Sequence, residues 1–349
     1  MKRLTAMLVL FVGASAVMLT GNRACGDVTV VLEDVDSGLP SPTGQYRWMD
    51  VNNQVYAGGY RTTYNYTQAS VEVTYSIDAN ILHGTLSATN LKPNFAYQFK
   101  LTSTPGTAAN ESIGLTGRWW QEEWNGTAWA NGQNLNNKGD GSSPNPNDNV
   151  YFQRRDINDL TSPTGKHYRY TGYLVFDYFI TDGQGGAILN FQCDSSYHVL
   201  WKTSQRTRTS DDGPVKQVMF STDPCSAAYD IEYGLSIVDI FGEWERLPTG
   251  LVRLPLGEYE AQFVLTEESF HNCSGFGGCW AVAMARPCAF SITPCVVDFG
   301  LFASFADYWL ETGSNLPADL DGNGIVNLYD LKLFVDEWLC LCPYNWPLR

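Results

Sequence analysis

Residues 319–330 read DLDGNGIVNLYD, and oxygen-bearing side chains recur through them at Asp319, Asp321, Asn323 and Asn327 before Asp330 closes the run. A twelve-residue loop holds a hard divalent cation through positions 1, 3, 5, 7, 9 and 12, the seventh by its backbone carbonyl and the ninth often through water. In this register the ligands are Asp319, Asp321, Asn323, the carbonyl of Ile325, Asn327 and Asp330, and the ion they suit is Ca2+. Gly324 stands at the sixth position, where the loop turns sharply and a Cβ would be penalised. Val326, at the eighth, offers an apolar side chain to pack the loop on its neighbour.

Other residues offer weaker chemistry. Glycoside hydrolysis needs two carboxylates roughly 5 to 10 Å apart. The candidate pairs are Glu122 with Glu123, Glu243 with Glu245 in FGEWERL, and Glu267 with Glu268. On a strand, Glu243 and Glu245 share one face about 7 Å apart. That spacing suits catalysis, and it equally suits the solvated face of an ordinary strand. Trp119, Trp120, Trp124 and Trp129 lie among Asn, Gln and Gly, a composition fit for stacking sugar rings, with Trp124 and Trp129 the candidate contacts. The alternative is that these rings plug the end of a β-sandwich. The four histidines, His83, His167, His198 and His271, show no metal or protease spacing. There is no G-x-S-x-G, H-E-x-x-H or phosphate loop.

The elements that must position these groups are mostly strands. VTVVLEDV, SVEVTYSI, FAYQFKLTS, YLVFDYFIT, AILNFQC, HVLWKTS, GLSIVDIF, VRLPL and EYEAQFVLTEE are short β-branched or aromatic runs between Gly, Pro, Asn and Asp clusters. In EYEAQFVL, Tyr259, Ala261, Phe263 and Leu265 fall on one face. Residues 27–287 are therefore expected to form a mainly β region of β-sandwich or jelly-roll type. A long polar insertion is expected at about 102–165. HGTLSATNLKPNFAYQFKL, from His83 to Leu101, resembles a strand-turn-strand of fibronectin type III-like sandwiches through Leu91, Pro93 and Tyr97.

The chain has 349 residues, 44% hydrophobic and 13% aromatic, with a formal net charge of −15. That balance argues against a nucleic-acid partner. Lys2 and Arg3 followed by the apolar stretch Leu4 to Leu19 have the layout of a signal peptide, expected over residues 1–26. No transmembrane segment is expected in the mature chain, and the expected location is secreted or cell-surface. Cys25 invites a lipid anchor, but Asn22-Arg23-Ala24 is a poor lipobox. Of nine cysteines, the eight after Cys25 make an even number suited to disulfides. Their spacing does not match a zinc knuckle.

After Pro294 the texture turns helical and repeats itself. DFGLFASFADYWL from Asp298 aligns with NLYDLKLFVDEWL from Asn327 at an offset of 29, matching Phe305 to Phe334, Asp307 to Asp336, Trp309 to Trp338 and Leu310 to Leu339. Leu331, Phe334, Val335, Trp338 and Leu339 are expected on one helical face, so two short helices should pack together. A loop closed by aspartate and followed at once by an apolar, duplicated helix resembles the type I dockerin module over roughly residues 290 to 342, within a C-terminal module expected at 288–349. Its FADYWL and FVDEWL are similar to the tails of planctomycete-type exported proteins. The resemblance implies a cohesin-like or other surface protein as partner, contacted at positions 10 and 11, Leu328 and Tyr329. Exposure of those two and burial against the other helix both remain open. In the first repeat, Phe290, Ile292, Pro294 and Leu301 occupy positions where side-chain ligands are needed, so one Ca2+ is expected. Cys288 or Cys295 could bridge to Cys340 or Cys342 and fasten the module.

The resulting reading is an exported calcium-binding protein with a non-catalytic β-sandwich that binds carbohydrate or another surface component. The alternatives are a glycoside hydrolase or other polysaccharide-active enzyme, raised by the enzymes dockerins usually accompany, and a structural surface protein.

Overall fold

The computed structural model describes residues 26–35, 45–124, 127–131, 168–220, 227–246, 254–268, 270, 280–294 and 299–338. The signal segment, the stretch 132–167, His167, His271, Asp298 and Leu339 lie outside the described residues, as do all cysteines except Cys193 and Cys288.

The described strands, in chain order, are β1 (Asp27–Val31), β2 (Glu33–Asp34), β3 (Ser70–Ser76), β4 (Asp78–Ala79), β5 (His83–Thr89), β6 (Ala96–Thr102), β7 (Arg118–Trp124) and β8 (Trp129–Asn131). They continue with β9 (Tyr168–Ile180), β10 (Ala187–Gln192), β11 (Ser196–Lys202), β12 (Lys216–Phe220), β13 (Ser236–Arg246), β14 (Gly257–Glu268) and β15 (Trp280–Ile292). Short helices α1 (Gly58–Thr63) and α2 (Ala108–Thr116) interrupt them, and α3 (Phe299–Asp307) and α4 (Leu328–Asp336) follow.

Three antiparallel sheets result. The first runs β1-β3-β5-β10, the long sheet β2-β15-β14-β6-β9-β7-β8 with β4 pairing β15 in parallel, and the third β11-β13-β12. One core joins the first and long sheets through residues such as Val73, Leu86, Phe99, Phe176 and Phe263. A second joins the long and third sheets through Val175, Tyr178, Tyr197, Leu200 and Ile240. Side chains alternate across a strand, so a sheet covered on both faces must be apolar on both. An extra residue in β9, Phe176, falls between the partners of Phe99 and Lys100, and this bulge lets Phe176 and Phe179 both reach the first core.

Strand β14 shows the alternation clearly. Tyr259, Ala261, Phe263 and Leu265 are all buried in the first core, as their spacing predicts. Glu267 continues that row and is wholly buried. Its carboxylate accepts from Lys92 Nζ at 2.8 Å, Arg47 Nε at 2.6 Å and the Tyr66 hydroxyl at 2.7 Å. Burial pushes this carboxyl up, but Lys92 and Arg47 together outweigh that and hold it below the ordinary glutamate range. Lys92 is equally buried and lies 3.8 Å from the centroid of the Phe95 ring. At the turn from β5 to β6, the Tyr97 hydroxyl accepts from the Lys92 N–H at 3.2 Å. A tyrosine hydroxyl tied to backbone a few residues upstream is also a feature of immunoglobulin-like domains.

Several expectations need correction. The stretch after Thr102 is not all excursion, because α2 forms there and RWWQEEW is β7, paired with β9 inside the long sheet. Thr107 caps α2 by accepting from the Asn110 N–H. The helix lies flush on β9, since a Cβ on Gly172 would stand 2.4 Å from the Gly114 Cα. Buried Asn110 seals the contact by accepting from the Gly172 N–H and donating to the Gly172 and Ser103 carbonyls. The β region also runs on past residue 287, because β15 continues to Ile292. Cys288 therefore sits opposite Ala261 in mid-strand, a free thiol buried in the core, and it does not staple the C-terminal region. Of VRLPL, the described residues Leu254, Pro255 and Leu256 form no strand.

The C-terminal region has its own small core of Phe305, Ala318, Val326 and Phe334. The two helices have equal length and keep the 29-residue offset. Phe305 and Phe334, equivalent in the repeat, touch at 5.3 Å between ring centroids. Contact between equivalent positions is what a two-fold pairing produces. Leu331 and Trp338 join Phe334 in this contact, but Val335 is exposed. One short partner helix covers a narrower stripe than the five-residue face expected.

Candidate functional site

The loop follows from its local hydrogen bonds. Asp319 Oδ1 accepts from the Asn323 N–H at 3.0 Å and Oδ2 from the Gly324 N–H at 2.7 Å. Asp321 accepts from both the backbone and the side-chain amide of Asn323. Gly324 has φ of +83°, the left-handed conformation the sixth position calls for. Asn327 caps α4 by accepting from the Tyr329 N–H, and Asp330 returns the favour by accepting from the Asn327 N–H at 2.8 Å, a capping box. The other Asp330 oxygen reaches back across the loop to the N–H groups of Leu320 and Asp321.

Carboxylate oxygens of Asp319, Asp321 and Asp330 thereby converge within 4.8 Å of one another. Asp330 is fully buried, and the partners of its carboxylate are backbone N–H groups, with no cationic side chain in contact among the described residues. Carboxylates brought this close repel one another, and a cation between them would offset that repulsion. Each carboxylate keeps lone pairs beyond those its N–H donors use. The donor set, all oxygen, therefore fits a hard cation. The carbonyl of Ile325 accepts from the Asn327 side chain. Val326 is buried as expected.

What lies beside the loop is not a second loop. Thr312 bridges Ile325, and the Leu310 N–H and Glu311 carbonyl pair with Val326. Phe290 and Ile292, the first ligand positions of the earlier repeat, are buried residues of β15. Leu328 and Tyr329 are 70% and 71% exposed, standing off the helix pair rather than between the helices.

The candidate carboxylates of the β region are dispersed. Glu243 accepts from Trp201 Nε1 at 3.2 Å and lies 3.5 Å from Arg206 Nη2. Glu245, two residues on, is buried and engages Arg118 Nη1 at 3.2 Å and His198 Nδ1 at 3.4 Å. Arg118 also donates to His198 Nε2. The solvated-strand reading of this pair therefore fails at Glu245, because Arg118 of β7 in the long sheet reaches it.

Strand alternation sends Glu268 to the opposite face from Glu267, into the polar layer between the long and third sheets. Burial pushes its carboxyl up to about 8, with Lys100 pulling it partly back. Tyr173 feels the charges of Arg118, Glu245 and Glu268 together, which puts all three within electrostatic reach of one side chain. Sequence reasoning missed Lys100, Arg118, Tyr173 and His198, since they come from four strands. Trp124 and Trp129 pair across the β7–β8 hairpin with ring centroids 5.4 Å apart, both half-buried, and the Arg169 guanidinium lies over Trp129. Trp119 is buried.

Comparisons of the chain with protein-family models, curated proteins and solved structures found no match. Among the described residues no helix is long and apolar enough to cross a membrane.

Proposed function

We propose that this is an exported protein in which one Ca2+ orders a dockerin-like C-terminal unit, which attaches a non-catalytic, carbohydrate- or surface-binding β-sandwich to a partner. The supporting observation is Asp330, a wholly buried carboxylate held by backbone N–H groups with Asp319 and Asp321 turned toward it. Asp319, Asp321, Asn323, the Ile325 carbonyl, Asn327 and Asp330 would hold the ion. Bound, it neutralises the carboxylates, and its binding free energy adds to that of the folded loop and helix pair. Leu328 and Tyr329, exposed at the start of α4, are the proposed contacts for a cohesin-like or other surface protein. The sandwich reading rests on the shared core of the first and long sheets. Secretion rests on the N-terminal pattern of the sequence.

Titrating Ca2+ into the full chain by calorimetry tests the central claim. One ion per chain is expected, and none in the Asp319→Ala, Asp330→Ala double variant. An unchanged stoichiometry in that variant would sink the assignment.

A glycoside hydrolase remains the second reading, favoured by one observation. Glu268 is held neutral by burial while the Arg118 guanidinium sits on Glu245, and such a split between two carboxylic acids suits general acid and base roles. New reducing ends from a polysaccharide panel, lost in Glu268→Gln, would support it. Equal activity in that variant would remove Glu268 from the chemistry.

A further inference from the structure

A cleft of about 350 Å³ opens between α1 and two turns of the β region, away from the tryptophan hairpin and the polar layer. That is the lower end of the usual range for ligand sites. One wall is aromatic. Tyr60 and Tyr64 stack at 5.0 Å between centroids with their planes 28° apart, and Tyr60 also packs on Tyr56. The facing wall carries Asn90, Pro93 and Gln184, and Gln68 stands beside the tyrosines.

The walls are tied to each other before any ligand arrives. The Tyr64 hydroxyl donates to the Asn90 carbonyl at 3.2 Å. The Leu91 N–H donates to the Gly185 carbonyl at 3.0 Å, joining the two turns. That approach requires glycine, since Gly185 has φ of +76° and a Cβ there would lie 1.9 Å from the Leu91 carbonyl oxygen. Ala57 donates to the Ala228 carbonyl and fixes the third side to the start of α1. A preformed cleft does not spend binding energy on ordering its walls.

The chemistry of the lining selects its ligand. No Asp, Glu, Lys, Arg or His lines the cleft among the described residues. Asp182 lies close by in sequence, but its Oδ1 is committed to the N–H groups of Gln184 and Gly186. The side-chain amides of Asn90 and Gln184 and the Tyr60 hydroxyl make no hydrogen bond with a described residue. Both amide side chains are exposed. The partly exposed Tyr60 ring, backed by the buried Tyr64 ring and sharing the cleft with unpaired amides and no charged side chain, suits an uncharged ring that has an apolar face and a hydroxylated rim.

We propose that the Tyr60–Tyr64 cleft binds a neutral pyranose unit of a glycan, its C–H face on Tyr60 and its hydroxyls on Asn90 and Gln184. This rests on the carbohydrate-binding reading of the β region and gives that reading a place. Charged uronic acids should bind less well, because nothing in the lining would pair their carboxylates.

The test uses the full chain with Ca2+ present, titrated calorimetrically with neutral hexasaccharides of glucose, mannose and xylose and with a hexagalacturonate. Binding of at least one neutral hexasaccharide is expected. Tyr60→Ala should weaken it about tenfold or more, the loss of a central aromatic contact. Gln184→Ala, a change at an exposed side chain, should weaken it by a smaller factor. Thermal melts show whether Tyr60→Ala is folded, and Gln184→Ala carries the test if it is not. Neutral-sugar binding that survives both cleft variants but is lost in Trp124→Ala would overturn this proposal while keeping the carbohydrate-binding reading. Binding of the hexagalacturonate alone would overturn the neutral specificity. No binding to any of the four would overturn both readings.

Discussion

The carboxylate loop and the tyrosine cleft are assembled in opposite ways. Asp319 and Asp330 bracket twelve consecutive residues, and every hydrogen bond that aims their carboxylates comes from within that span. The cleft collects its lining from α1, from the β5–β6 turn, from the β9–β10 turn and from Ala227 and Ala228. Its shape exists only when three sheets have paired in register. Damage to the loop should therefore stay local, whereas the cleft should respond to changes in the surrounding β region.

The largest effect should fall on the loop. Asp319→Ala with Asp330→Ala should remove Ca2+ binding and leave α3 and α4 poorly packed, read by calorimetry and by near-ultraviolet circular dichroism of the aromatic cluster. The melting of the β region should not move, and a joint shift of both would contradict the separation of the two regions.

Next comes Glu267→Gln, which strands buried Lys92 without its anion and should cost about 3–5 kcal/mol in denaturant unfolding. Ca2+ affinity should be untouched. The pH dependence has a definite sign. Glu267 is held below its ordinary pKa, so its contribution is complete above that pKa and lost as pH falls into and below the carboxylate range. Gln at this position should abolish that part of the acid sensitivity.

Gly185→Ala should cost about 1–3 kcal/mol for a side chain in a left-handed conformation, with more from the collision with Leu91. Neutral-sugar binding should weaken with it although no lining side chain has changed. Unaltered binding in a folded Gly185→Ala protein would mean that the turn does not shape the site.

The smallest effect concerns Glu268. Its pKa is raised to about 8, so the fold favours the neutral acid, and the contribution is complete below the ordinary glutamate pKa and lost as pH rises through about 8. Lys100, lowered to about 8 by burial, opposes this only at higher pH, since its own contribution is complete above the ordinary lysine pKa and lost as pH falls through about 8. Glu268→Gln should flatten the decline in stability between about pH 4.5 and 8, measured by melts across that range.

Much of this could be read from residues alone. The loop positions, the buried row Tyr259 to Leu265 and the paired helices all follow from periods of two, 3.6 and twelve. The tyrosine slab had a faint signal in GGYRTTYNY, where Tyr60 and Tyr64 stand four apart. Nothing local marked Glu245 as buried, because Arg118 lies 127 positions earlier in the chain. Likewise Glu267 and Glu268 look interchangeable in sequence, and alternation separates them by a single step into one core and one polar layer.

The sequence by itself determined the convergence of the loop carboxylates, the strand-rich character and the apolar stripe of each short helix, because each depends on backbone geometry over a dozen residues or fewer. Only the tertiary structure decided which acids are buried, which tyrosines line a cleft and which of the loop's apolar neighbours stay in solvent. Those outcomes depend on what a second and third sheet, or a partner helix, places over each face, and that is set by pairing between residues far apart in the chain.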